Sequence, residues 1–90
     1  PLISMDSSPN PFGQQVDISY GIKEAADVSL TVFNQRGQVV RTMALGYKSA
    51  GNWLYTWDGL DGQGSRCPAG RYLLMVESGK HKAYRKVLKL

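Results

Sequence analysis

Cysteine is nearly absent from this 90-residue chain, histidine occurs once, and after Gly79 there is no acidic residue at all. The lone Cys67 cannot close an intrachain disulfide, and without cysteine or histidine neighbours it offers no zinc site. It leaves the redox compartment open, because bacterial extracellular sandwiches also manage without disulfides. His81 lies between Lys80 and Lys82, in a basic turn with nothing to orient it, so no serine or cysteine has the base that nucleophilic catalysis needs. The longest apolar run, Tyr72 to Val76, is five residues, far short of the roughly 20 that span a membrane as a helix. No glycine-rich segment stands between a strand and a helix, which removes a phosphate-cradling loop. The start, Pro1-Leu2-Ile3-Ser4, shows no basic segment followed by an apolar stretch, so an export signal is expected upstream, in a longer parent. No catalytic residue and no cofactor is expected.

What the chain does have is a period of two. Val16, Ile18, Tyr20 and Ile22 alternate with Asp17, Ser19 and Gly21, and Val28, Leu30 and Val32 with Ser29 and Thr31, the pattern of strands with one buried and one wet face. Asn34-Gln35-Arg36-Gly37 supplies a turn, so Val28–Phe33 and Gln38–Leu45 are expected as a hairpin. Residues 46–52 are expected as a loop, 53–57 as a strand, and the glycine-rich stretch 58–70 as a connection. Arg71–Ser78 and Ala83–Leu90 complete the pattern around the turn Gly79-Lys80-His81-Lys82. Six strands follow, seven if Leu2–Met5 adds another. With 42% hydrophobic and 20% charged residues, the expected fold class is all-β: an immunoglobulin-like antiparallel β-sandwich of about seven strands. Residues 1–90 are expected as a single domain, with 1–8 either a linker or an edge strand.

Three features invite a functional reading, each with a plainer one beside it. Asp58 and Asp61 sit in Asp58-Gly59-Leu60-Asp61-Gly62-Gln63-Gly64, but Leu60 and Gly62 fill the alternating slots a calcium loop needs and no closing glutamate follows, so both carboxylates are expected to bond to their own turn. Trp53, Tyr55 and Trp57 share a strand face. Planar rings could form a platform for sugars, with Trp53 and Tyr55 as the exposed pair, yet a thin sandwich needs such rings in its core. The third is charge: Lys80, Lys82, Arg85, Lys86 and Lys89 put +5 after Gly79, while six cations against seven acids leave the first 79 residues at −1. A basic terminal strand suits an acidic partner, and equally suits an exposed edge guarded by lysines. Nucleic acid is not expected as a partner, because the cations lie away from the aromatic strand.

Taken in order, Ser8-Pro9-Asn10-Pro11-Phe12, Arg36-Gly37, Ala50-Gly51, Thr56-Trp57-Asp58-Gly59-Leu60-Asp61, Pro68-Ala69-Gly70-Arg71-Tyr72 and Arg85-Lys86-Val87-Leu88-Lys89-Leu90 resemble two related bacterial families. One is the immunoglobulin-like domain of the flagellar hook-capping protein; the other is the C-terminal sorting domain of type IX secretion substrates. The likeness runs from about Ser8 to Leu90. The second resemblance implies a non-catalytic sorting domain that directs an upstream cargo domain of the same chain through the outer membrane, passing the periplasm on the way to the cell surface or medium. It implies recognition by the outer-membrane secretion machinery through Lys80, Lys82, Arg85, Lys86, Val87, Leu88, Lys89 and Leu90. The alternative is an accessory module of an extracellular enzyme or adhesin, carbohydrate-binding through Trp53 and Tyr55, or a structural spacer in a surface or flagellar assembly.

Overall fold

The computed structural model describes residues 3–90. Seven strands run β1 (Ile3–Ser8), β2 (Val16–Ile22), β3 (Ala26–Asn34), β4 (Val39–Lys48), β5 (Gly51–Trp57), β6 (Gly70–Ser78) and β7 (His81–Lys89). All neighbours pair antiparallel, in a three-stranded sheet of order β1-β2-β5 and a four-stranded sheet of order β4-β3-β6-β7. This is an immunoglobulin-like β-sandwich.

Alternation explains which faces meet. Ile18, Tyr20 and Ile22 of β2 are buried with Ile3 and Met5 of β1, and opposite them Val28, Leu30 and Val32 of β3 are buried with Tyr72, Leu74 and Val76 of β6. A one-residue slip would turn each of these sets to solvent, so the inner faces fix the register. Trp57 closes one end of the core, fully buried. Its ring centroid lies 5.7 Å from those of both Phe12 and Tyr72, in tilted and edge-on geometries that suit aromatic quadrupoles.

Two boundaries differ from the expectation. The stretch 46–52 is not a loop: β4 continues to Lys48 and β5 starts at Gly51, leaving Ser49 and Ala50 as the connection. Register shifts between Val28 and Ser29 and between Val32 and Phe33 let the long β4 stay paired with β3 across its glycine, as bulges do. At the other end, Ile3–Ser8 pairs with β2 along its whole length although Asp6, Ser7 and Ser8 have no apolar signature. Backbone pairing with a regular β2 holds them. Leu2, expected to open this strand, lies outside the described residues.

The β3–β4 hairpin is held by Asn34, whose Oδ1 accepts the amides of Arg36 and Gln38, both at 3.0 Å. Gly37 takes φ 80° there, a conformation glycine adopts without a Cβ penalty.

Candidate functional site

The aromatic strand β5 turns its rings towards the other sheet. Trp57 is in the core, while Tyr55 and Trp53 are half-buried and packed against it. The Tyr55 hydroxyl lies 3.1 Å from Sδ of Met43 on β4. Trp53 donates Nε1–H to the Ser49 carbonyl at 3.0 Å, and the Lys48 ammonium stands 4.8 Å from its ring centroid. The residue facing fully outward between the two rings is Leu54.

The connection between β5 and β6 is bonded to itself. Asp58 Oδ1 accepts the Leu60 amide at 3.1 Å and the Arg41 guanidinium at 2.9 Å. Asp61 Oδ1 accepts the amides of Gln63 and Ser65, both at 2.9 Å. Trp57 Nε1–H donates to the Leu60 carbonyl, and the Tyr72 hydroxyl to the Pro68 carbonyl at 2.6 Å. The last bond, from a tyrosine near a strand start back to the chain four residues before it, is the corner device of immunoglobulin-like sandwiches. Among the described residues, no three histidine, cysteine, aspartate or glutamate side chains gather as metal ligands.

Cys67 belongs to this connection and is buried. Burial, helped by Asp61, pushes its thiol up, outweighing the opposing pull of Lys89, the Tyr72 hydrogen bond and Arg41. Desolvation decides the direction. The same burial pushes Tyr72 up.

The basic terminus divides by parity. Lys82, Lys86 and Leu88 stand on the outer face of the four-stranded sheet, Lys80 is in the exposed turn, and Leu90 follows the strand, exposed. Val87 and Lys89 point the other way and are buried; the Lys89 stem lies against Gly59. Arg85 shares their parity but stays exposed at the sandwich rim, where its Nη1 donates to the Tyr84 carbonyl at 3.0 Å. The eight residues therefore do not form one surface.

Strand β7 is an edge strand, and half of that edge is covered. Asn10 donates Nδ2–H to the Lys86 carbonyl at 3.1 Å and accepts the Leu88 amide on Oδ1 at 2.9 Å. Phe12 then donates its amide to the Leu88 carbonyl at 2.9 Å and accepts the Leu90 amide at 2.8 Å. The segment Pro9–Phe12 thus stands in for a neighbouring strand over Lys86–Leu90. The stretch Lys82–Arg85 lies beyond this cover, and its two cations, Lys82 and Arg85, discourage stray pairing.

The model of the FlgD Ig-like domain matches residues 7–82, from the end of β1 into the start of β7. The chain belongs to this family. Basal-body rod modification protein FlgD of Escherichia coli K12 is 36% identical over 69 residues, which are 76% of this chain and 27% of that protein. The chain thus spans about a quarter of the length of the curated relatives it matches. Dimeric latent PorU from Porphyromonas gingivalis shares the fold with a TM-score of 0.76 at 14% identity, over 98% of this chain and 9% of PorU. FlgD from Xanthomonas campestris, described for its hook capping in flagellar assembly, gives 0.68 at 19% identity, over 97% of this chain and 64% of that one.

The sequence reading missed one grouping. Phe33, Leu73, Met75, Tyr84 and Leu88 come together on the outer face of the four-stranded sheet. A signal was present: Arg71–Ser78 reads as a nearly continuous apolar run, which marks a strand covered on both faces.

Proposed function

We propose that the chain is a non-catalytic structural module of an exported bacterial assembly, of the kind exemplified by hook capping in FlgD. The observation that supports this most is the employment of its distinctive residues. Asp58, Asp61, Trp57 and Tyr72 are each bonded to the chain's own backbone. Asn10, in the proline-rich lead-in, is bonded to β7. Residues so engaged hold the chain in a rigid shape. Family membership over residues 7–82 agrees with this. The test exchanges the matching module of E. coli FlgD for residues 3–90. Cells carrying the chimera are expected to build hooks, seen by electron microscopy; a chimera that is stable and exported but leaves cells without hooks overturns the reading.

One observation favours a second reading, in which the module is a sorting domain addressed to the outer-membrane secretion machinery. Lys82, Arg85 and Lys86 are exposed along the edge strand β7 and Lys80 in the turn before it, with no acid between them. Reversing these four charges in the parent protein separates the two. The sorting reading expects cargo to accumulate in the periplasm, whereas the structural reading expects export to continue.

A further inference from the structure

A sandwich sheet normally buries one face and wets the other. The four-stranded sheet departs from this at one end. On its outer face Phe33 of β3 pairs with Leu73 of β6, which pairs with Lys86 of β7; in the next outward row Thr31 pairs with Met75, which pairs with Tyr84. Leu88 extends the group opposite Arg71. These side chains floor a groove of about 820 Å³ between the β3–β4 turn and β7. Arg71, Lys82 and Lys86 rim it, and no aspartate or glutamate lines it.

We propose that this groove docks a polypeptide segment carrying both acidic and apolar side chains. The apolar floor supplies the area that water releases, and the three cations select the sign of the occupant's charge. A segment suits the site better than a membrane does. The middle of the floor is recessed, with Phe33 and Leu73 half-buried and Met75 only 9% exposed, and Tyr84 and Leu88 stand out only along its β7 side, whereas an interfacial anchor projects its whole apolar face outward. The covered half of β7 helps to shape it, since Asn10 forms part of the wall. This inference goes beyond the structural role proposed above and does not depend on which assembly the chain serves.

The test pans a phage library of random dodecapeptides against the 90-residue chain, then titrates the leading synthetic peptide into isotopically labelled protein. The expected result is enrichment of aspartate or glutamate together with leucine, isoleucine or phenylalanine. Amide shifts should centre on Phe33, Leu73, Met75 and Tyr84. In the K82E/K86E double variant, both of whose sites are exposed, affinity should fall by about tenfold with the melting curve unchanged. A Tyr84→Ser variant should also bind more weakly. No enrichment, enrichment of neutral or basic peptides, shifts centred elsewhere, or equal binding to the double variant overturns the proposal. So does stronger sedimentation with phosphatidylcholine–phosphatidylglycerol vesicles, lost in the double variant, which would identify an anionic membrane as the occupant.

Discussion

Asn10 stands beside Leu88 as a strand residue would, although 78 positions separate them in the chain: its Oδ1 accepts the Leu88 amide at 2.9 Å. Its Nδ2 simultaneously donates to the Lys86 carbonyl at 3.1 Å. A single side-chain amide thus supplies the donor and acceptor that an eighth strand would otherwise bring. Replacing Asn10 by alanine removes both bonds, a loss of about 1–2 kcal/mol. The melting temperature followed by circular dichroism should drop by roughly 5–15 °C, and the Leu88 amide should exchange faster with deuterium. Asn10→Asp, which keeps the acceptor but sets a carboxylate against the Lys86 carbonyl, should fall at least as far; an unchanged melt in both variants would refute the brace.

Trp57 joins packing to polarity. It is fully buried between Phe12 and Tyr72 while its indole N–H satisfies the Leu60 carbonyl at 3.0 Å. Trp57→Phe leaves a cavity and reduces the Leu60 carbonyl to the longer bond from Arg41 at 3.4 Å, and should destabilise the chain by about 2–4 kcal/mol in urea titrations. Trp53→Phe, at a half-buried rim position, should cost well under half as much.

Gly59 and Gly37 have nearly the same backbone, φ 77° and 80°, but different surroundings. A Cβ at Gly59 would stand 2.8 Å from the Gln14 carbonyl oxygen, whereas nothing lies within 4 Å of one at Gly37. Gly37→Ala should therefore cost only the left-handed conformation, about 1 kcal/mol. Gly59→Ala should cost at least about 1 kcal/mol more, because backbone has to move. Equal losses in denaturant titrations would show that the contact is relieved without strain.

Cys67 gives the chain an alkaline limit. Its folded thiol is pushed above the ordinary value by burial, so the unfolded chain releases the proton first. The contribution is complete below the unfolded thiol value of about 8.5 and is lost as pH rises through the folded one. Tyr72 and Tyr20, also raised by burial, extend the loss into the tyrosine range near about 10. Unfolding free energy measured against pH should fall on the alkaline side of about 8.5, and Cys67→Ala should flatten the first part of that fall. Native protein at pH 8 should also resist a thiol-specific disulfide reagent until denaturant is added.

Much of the fold is legible in local pattern. Val16, Ile18, Tyr20 and Ile22 announce a one-sided strand, and Asn34 to Gly37 announce its neighbour's turn, because period and turn chemistry act within a few residues. The β4–β5 connection was harder to read: Gly46 and Gly51 look like breakers, but here they lie inside strands, Gly46 beside a register shift. At the basic end the charge is legible and the facing is not: strand parity sends Val87 and Lys89 inward, and the long Lys89 stem is apolar enough to be buried. The Asn10 brace has no local signal at all, since its partners lie at the far end of the chain.

The bonds around Phe12 also have a mechanical meaning. Its bridge to Lys89 is parallel, with its amide bound to the Leu88 carbonyl and its carbonyl to the Leu90 amide. Tension on polypeptide continuing past Leu90 would run along β7, so this bridge and the β6–β7 ladder would be loaded in shear, many bonds together. At His81 the turn joins the two strands covalently, so the ladder can be unzipped only from the end where Gly70 faces Lys89, and that is the end the Phe12 bonds brace.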